Sequence, residues 1–482
     1  MTRTAPGRLG RSSRRQWRPW GAFLFAAAIG AAGLILFSEQ VLAQRTYTEH
    51  AGVLADGTRY MMRMPSQWNE TLIRDLDYAS DPNSHRNLYF LEQGYAVAGT
   101  ARHERRWVGN YDPIREIAHI NTVHDIFEER FKKPSRVIHH GCSGGGALGL
   151  IISEYSADRV NGVIAMGTHA PSLWFLNQWL DTWVVLQALL APELSIALGL
   201  PGEGASLRPT RISLTFAWRQ ALHAAQKTPE GRARIALAVT IGQVADWANP
   251  MLTNPDRNDV TALQESMYRS AIQFANDVGG LSRFMFESAV GAGIHQHQVS
   301  WNTGVDFKAF FNNGNTFQKN AVRALYQTAG LALEADLATL NALPRQAPDP
   351  EGLKFWSAPG RFPVGQPKIP VLRMHEIGDP FIPANMSEGY KELIRENGKD
   401  DLYRMTYVEA GTHCQVTVAE TAALLQTMIR RLDTGKWGST EPAQLNELGR
   451  SRDQSSVPRF ITFDKYRVDK YNRTWVAGRP TS

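Results

Sequence analysis

The amino-acid sequence predicts an α/β fold, a mostly parallel sheet with a helical lid inserted into it. Over residues 45–165 short apolar strands alternate with helix-period segments, and over 366–434 the same alternation returns. That is the pattern of a parallel sheet crossed by helices. Between them, residues 166–345 are rich in Leu, Ala, Trp and Gln, with apolar residues at helical spacing. With 482 residues, 43% of them hydrophobic and 20% charged, the chain can fill one large core or two smaller ones. This composition excludes a disordered, a collagen-like or a many-spanning membrane protein. Two cysteines exclude a disulfide-dense scaffold and a four-cysteine zinc site.

Residues 1–43 read as an export signal. Arginines run up to Trp20, an apolar stretch from Gly21 to Phe37 follows, and Val41-Leu42-Ala43 offers small residues before a cleavage point at Gln44. Ser13-Arg14-Arg15-Gln16-Trp17 partly resembles a twin-arginine signal, without its usual hydrophobic residue and lysine, so both that route and the general secretory route fit. The competing reading is an uncleaved anchor, for which the apolar stretch is at the short limit. Six arginines and one acid give the leader +5 of the chain's net +6, leaving 46 basic against 45 acidic side chains elsewhere. The basicity therefore says nothing about nucleic acid or another anionic partner. The expected location is periplasmic or extracellular, with no stable membrane span after cleavage.

The expected organisation is a first part of the core over 44–165, the lid over 166–345, a second part of the core over 346–434 and an extension over 435–482. Strands are predicted at Tyr60–Met64, Thr71–Leu76, Tyr95–Gly99 and Arg136–His140, with helices at 87–93 and 114–131. Past the lid come a strand at 369–374, a helix at 386–396, a strand at 403–408 and a helix at 416–434, then a late strand-like Phe460–Phe463.

The chemistry centres on Gly141-Cys142-Ser143-Gly144-Gly145, a G-x-S-x-G between a predicted strand and a helix-like 147–155. In that context the turn is sharp enough to lift the Ser143 hydroxyl above the sheet, and the Gly144 amide at the helix N-terminus aims at a developing oxyanion. The Lys-Ser/Thr ending of a phosphate-binding loop is absent. The partners are expected in the order serine, acid, histidine. Asp379, just beyond strand 369–374, and His413, between strand 403–408 and the last helix, meet that order. Ser143 is then the nucleophile, His413 the base and Asp379 its orienting acid, with Glu376 as the fallback acid. The second oxyanion donor is expected after the strand at 71–76, from a backbone amide near Asp77 or Tyr78 or from the Tyr78 hydroxyl; Tyr78 as a mere wall residue is the alternative.

Cys142 precedes the candidate serine and Cys414 follows the candidate histidine. If Ser143 and His413 meet, so do their neighbours, and an oxidising compartment would pair the thiols, a link worth at most about 5 kcal/mol in the chain-entropy model. Two buried free cysteines are the other reading. The pattern Cys-Ser, Asp, His-Cys, with Cys142-Ser143-Gly144-Gly145-Gly146, resembles the tannase and feruloyl esterase family of α/β-hydrolases. The segments 378–383 and 411–414 are also similar to a wider group of secreted bacterial α/β-hydrolases. The resemblance covers about 60–165 and 366–434 in outline and implies an α/β-hydrolase core, a disulfide beside the site and cleavage of carboxylic esters, often aromatic ones. The chain departs from the family in having fewer cysteines and no D-x-D-x-D-G calcium run in 166–345.

His295 and His297 lack a third ligand nearby and read as lid or loop residues. His139 and His140 precede the serine turn and include at least one sheet residue with a satisfied ring. The Trp-rich 174–183 reads as packing that can also show a substrate an apolar face. The whole predicts an exported serine hydrolase of small or polymeric carboxylic esters that requires no metal or organic cofactor. A peptidase, amidase or lactonase on the same residues, or a non-catalytic binding protein of the same fold, are the alternatives.

Overall fold

The nine strands are β1 (Tyr47–Val53), β2 (Arg59–Pro65), β3 (Thr71–Asp75), β4 (Ala96–Thr100), β5 (Arg136–Cys142), β6 (Gly162–Met166), β7 (Val371–Glu376), β8 (Tyr403–Val408) and β9 (Phe460–Ile461). In this computed structural model, which describes residues 47–102, 111–170, 172–196, 208–249, 251–275 and 299–468, they form one sheet in the order β1-β2-β4-β3-β5-β6-β7-β8-β9. From β4 to β8 every neighbour is parallel. β1, β2 and β9 are antiparallel additions at the two edges.

The central strands are buried on both faces, and consecutive residues serve opposite cores, as the two-residue period of a strand requires. Val137, Val163 and Val371 pack with Ile117, Ile120 and Phe127 of α2 (Pro113–Arg130) and with Leu148 and Ile152 of α3 (Gly144–Tyr155). Ile138, Ile164 and Leu372 point the other way, toward Phe90 of α1 (His85–Glu92) and Leu424 and Met428 of α13 (Val418–Thr434). The helix ends follow local chemistry. Asp112 caps α2 ahead of Pro113, Thr417 and Glu420 form a capping box on α13, and Gly435 ends α13 in a left-handed conformation at φ 69°.

Between β6 and β7 lie eight helices among the described residues: α4 (Ser172–Leu190), α5 (Arg208–Ala225), α6 (Pro229–Ile241), α7 (Val260–Ala275), α8 (Phe307–Asn313), α9 (Thr316–Thr328), α10 (Leu333–Ala342) and α11 (Pro350–Ser357). They share their own core around Trp183, Trp218, Phe274 and Trp356. The helical segment thus runs past residue 345 to Ser357. The chain re-enters the sheet under the control of Glu154, which accepts the amides of Val364, Gly365 and Gln366 and the Tyr390 hydroxyl. Those four bonds offset the burial of its carboxyl.

β1, β6 and a helix at Pro442–Arg452 (α14, after α12 at Asn385–Glu396) had no counterpart in the sequence reading. β1 is a largely exposed edge strand without apolar alternation. β6 is a buried five-residue run directly before the helical segment, too short to distinguish from it. The extension beyond 434 closes the sheet edge with β9. It also straps the helical segment: the Phe463 ring stacks on Tyr407 of β8 at 4.2 Å, and Asn254 bonds both Glu409 and the Tyr466 hydroxyl. No helix of the described residues is long and apolar enough to cross a membrane. The leader, with its expected cleavage point, lies outside the described residues.

Candidate active site

Every parallel strand from β4 to β8 ends on the same side of the sheet, and the residues just beyond those ends make the site. β5 ends at Cys142, Ser143 makes the turn and α3 begins at Gly144. Ser143 takes φ 54°, ψ −125°, a left-handed conformation that a side chain avoids unless held. Its amide donates to the Met166 carbonyl at 3.0 Å, and the Thr168 hydroxyl donates to its carbonyl at 2.7 Å. Gly141 is required by close approach, since a Cβ there would stand 2.6 Å from the Gly145 carbonyl carbon. His139 braces the same turn by donating from Nε2 to the Gly145 carbonyl at 2.9 Å. Burial first, then the charge of Arg74, lowers its pKa to about 4, so the ring stays neutral. His140 is buried against Phe90.

β7 leads to the candidate acid. Asp379 is fully buried and divides its carboxylate. Oδ1 accepts the amides of Phe381 at 2.9 Å and Ile382 at 3.0 Å, and Oδ2 faces His413 Nδ1 at 2.6 Å. His413 must therefore carry its proton on Nδ1, which leaves Nε2 to accept one. Burial alone would lower the His413 pKa, but the charge and hydrogen bond of Asp379 outweigh it and raise it above the ordinary value. His375 shapes the acid loop. Its Nε2 donates to the Ile382 carbonyl at 2.8 Å, so Nδ1 accepts from the Ser387 hydroxyl at 3.1 Å. Burial lowers its pKa to about 4.

Glu376, the fallback acid, is fully buried with neither oxygen hydrogen-bonded among the described residues. It lies beside Gly167, which the Cys142 sulfur also borders. Burial and then the Asp379 charge raise its pKa to about 8. The geometry thus gives His413 to Asp379 and leaves Glu376 as a protonated neighbour.

Cys142 and Cys414 form a disulfide with Cα atoms 5.9 Å apart. It joins the residue before Ser143 to the residue after His413. Cys414 is itself left-handed at φ 61°. The acid and histidine loops are further tied by the Gly378 amide, which donates to Ala410 at 2.9 Å. The helical segment presses on both: the Trp247 carbonyl fits against Gly378, its ring fits against Gly411, and the Trp179 indole donates to Phe381 at 3.0 Å. Trp183 packs between Trp218 and Phe274. Trp179 and Trp183 are core residues of the helical segment.

The expected oxyanion donors are partly corrected. Gly144 opens α3 as foreseen. The Tyr78 hydroxyl does not reach the site: its ring is fully buried in the core with Ile73 and Phe90, its Cβ against Gly99 and its face toward Arg63. The Asp77 amide donates to Asp75 Oδ1 at 2.9 Å. Of the donors considered, the Tyr78 amide, at the start of a short turn, has no acceptor among the described residues.

Three site residues escaped the sequence reading. Arg102, two residues past β4, pairs through Nε and Nη2 with both Asp77 oxygens at 2.5 Å and lies over Gly144. His169, past β6, is buried, and burial with the charges of Arg373, His413 and Arg102 lowers its pKa to about 3. Thr168 is fixed in turn by Arg373, which donates to its carbonyl. The available signal was position, because each stands just beyond a strand end. His295 and His297 lie outside the described residues, among which no cluster of three metal-ligating side chains occurs.

The chain is 43% identical over 446 residues to an o-phthalyl amidase of Xanthobacter agilis, covering 89% of this chain and 97% of that protein. Solved structures similar to it include feruloyl esterase B from Aspergillus oryzae, 14% identical over 81% of each chain with a TM-score of 0.37. Another is the tannin acyl hydrolase of Aspergillus niger, 13% identical over 81% of this chain and 78% of that one, with a TM-score of 0.38. No protein-family model matches the chain.

Proposed function

The chain belongs to the α/β-hydrolases, in the group that contains the o-phthalyl amidase of Xanthobacter agilis, and is an enzyme of ester or amide hydrolysis; within that class we propose a serine-dependent amidase and esterase of aromatic acids that acts on o-phthalyl amides. The observation that carries the mechanism is the His413–Asp379 bond of 2.6 Å, with His413 bolted to the Ser143 turn by the adjacent disulfide. The amidase relative supports the alternative of an amine leaving group beside the alcohol first expected.

In this reading His413 Nε2 takes the proton of Ser143 as Oγ attacks the acyl carbonyl. The Gly144 and Tyr78 amides receive the oxyanion. Collapse breaks the C–N bond, and His413 returns the proton to the leaving amine. Water, deprotonated by the same nitrogen, then releases the aromatic acid from Ser143. Asp379 holds the tautomer and stabilises the imidazolium. The helices between β6 and β7 serve as the lid over this site. The paired cysteines and the leader motif support export to an oxidising compartment.

The test is hydrolysis of 2-carboxybenzoyl anilide and aromatic esters by the purified protein beside Ser143→Ala. Serine-dependent turnover is expected. Activity retained by Ser143→Ala in a clean preparation would sink the assignment, and turnover of esters without any amide would remove the amidase half.

A further inference from the structure

Arg102 has no part in the chemistry above, yet it is held in the site at some cost. Its backbone is left-handed at φ 51°, a conformation a long side chain adopts only under constraint. Asp77 grips it on one edge, accepting from Nε and Nη2 at 2.5 Å each. A guanidinium carries five N–H groups, so this edge uses two. Of the other three, one on Nη1 and one on Nη2 form a second edge. Nη1 lies 2.6 Å from where a Cβ at position 144 would stand. Only a glycine leaves that space to the guanidinium. The second edge therefore lies beside the residue whose amide meets the carbonyl under attack.

We propose that Arg102 is a specificity-determining residue: its Nη1–Nη2 edge, aimed by Asp77, pairs with a carboxylate carried on the acyl ring carbon adjacent to the scissile carbonyl. The inference deepens the aromatic-acid hydrolase reading and rests on it. Arginine presents parallel N–H groups that match two carboxylate oxygens, which a lysine cannot do. With the scissile oxygen on the Gly144 amide, an ortho carboxylate falls next to that amide, whereas a para carboxylate points away from it along the ring. Asp77 fixes the guanidinium before substrate arrives, so less side-chain freedom is lost on binding. The Arg102 side chain is only 10% exposed, while that of Asp77 is 37% exposed, so water screens the second anion from Asp77 more than from Arg102.

The experiment has two readouts. The first is kcat/KM for 2-carboxybenzoyl anilide, its neutral methyl ester at the ring carboxyl, and the 4-carboxybenzoyl isomer, in wild type and Arg102→Gln. Wild type is expected to favour the 2-carboxy substrate, and Arg102→Gln to lose roughly 100-fold more on it than on the neutral one. Equal losses on both would mean an oxyanion or structural role and would overturn the proposal, as would a wild type indifferent to the carboxylate. The second is calorimetric binding of phthalate and benzoate to Ser143→Ala with and without Arg102→Gln. Phthalate binding that weakens at least tenfold with benzoate unmoved is expected, and phthalate binding that ignores Arg102 refutes the anchor. If Arg102-dependent phthalate binding is found without amide turnover, the amidase reading fails and the anchor stands. Asp77→Asn, which loosens the grip but keeps the cation, is expected to show an intermediate loss on the same ratio; no loss would refute the aiming role of Asp77.

Discussion

Replacing one atom of Asp379 tests how His413 is poised. Two backbone amides point at Oδ1, from 2.9 and 3.0 Å, and His413 Nδ1 faces Oδ2 at 2.6 Å. In the Asp379→Asn variant the carboxamide oxygen must stay with the two amide donors, because an NH2 there would meet N–H against N–H. The NH2 then faces His413 Nδ1, which can only accept from it. The imidazole proton is forced onto Nε2, the nitrogen that must receive the Ser143 proton. The base is thus blocked with hardly any change of shape. Such a tautomer error costs about 10,000-fold in kcat in the serine protease precedent, or about 5.5 kcal/mol of transition-state stabilisation. The assay is kcat on 2-carboxybenzoyl anilide and on an activated aromatic ester, with thermal unfolding to show that the fold persists. A loss below tenfold on both substrates would refute the assignment of Asp379. So would a Glu376→Gln variant that loses more than Asp379→Asn.

Other outcomes follow from the same geometry. Because Asp379 holds the His413 pKa above 6.5, kcat/KM should rise with pH through a midpoint above that value as Nε2 becomes free to accept a proton; a midpoint below 6.5 would contradict the coupling. Glu376, with a folded pKa of about 8 against an ordinary 4.5, keeps a proton that the unfolded chain releases between those values. Its contribution to stability is therefore complete below about pH 4.5 and is lost as pH rises through 8. Glu376→Gln should keep activity and flatten that decline in urea titrations run across the pH range, and an unchanged slope would show that the group is not protonated in the fold. The disulfide closes a sequence separation of 272, worth up to about 5 kcal/mol. Cys142→Ser with Cys414→Ser should thus lower Tm and weaken catalysis before unfolding, while oxidised wild type should show no thiol after denaturation. Two titratable thiols would refute the bridge.

The central strands, and the meeting of Asp379 and His413 beside the Ser143 turn, were legible because their signals are local. A buried parallel strand is a short run led by β-branched and other apolar residues, and Ser143 sits where such a run meets a helix start. Asp379 and His413 could be placed because each follows a strand by a few residues. What escaped depends on contacts distant in sequence. The strand β1 is polar because it is an edge, so no period marks it. The choice between Asp379 and Glu376, the one just past β7 and the other its last residue, turned on which carboxylate faces Nδ1. The role of Tyr78 turned on the core that takes its ring, built from Ile73, Phe90 and other residues distant in sequence. Arg102 carries no motif at all, and only the sheet, which sets the loop after β4 beside the start of α3, brings it over Gly144.

Three of the five non-glycine residues with positive φ among the described residues, Arg102, Ser143 and Cys414, stand at this one site. Each such residue costs on the order of 1 kcal/mol or more, so each needs a restraint that over-determines it. Those restraints come from the sheet and its loops. Ser143 is held by Met166 and Thr168, Cys414 by the disulfide, and Arg102 by Asp77. The helices between β6 and β7 supply none of these bonds; they bear on the acid and histidine loops through Trp247 and Trp179. The division has a consequence for substrate choice. Side chains of the helical segment can therefore change without removing the bonds that hold the nucleophile turn. The acyl end is governed by Arg102 and Asp77, which belong to the same rigid frame as Ser143, and a change at either carries through to the chemistry itself.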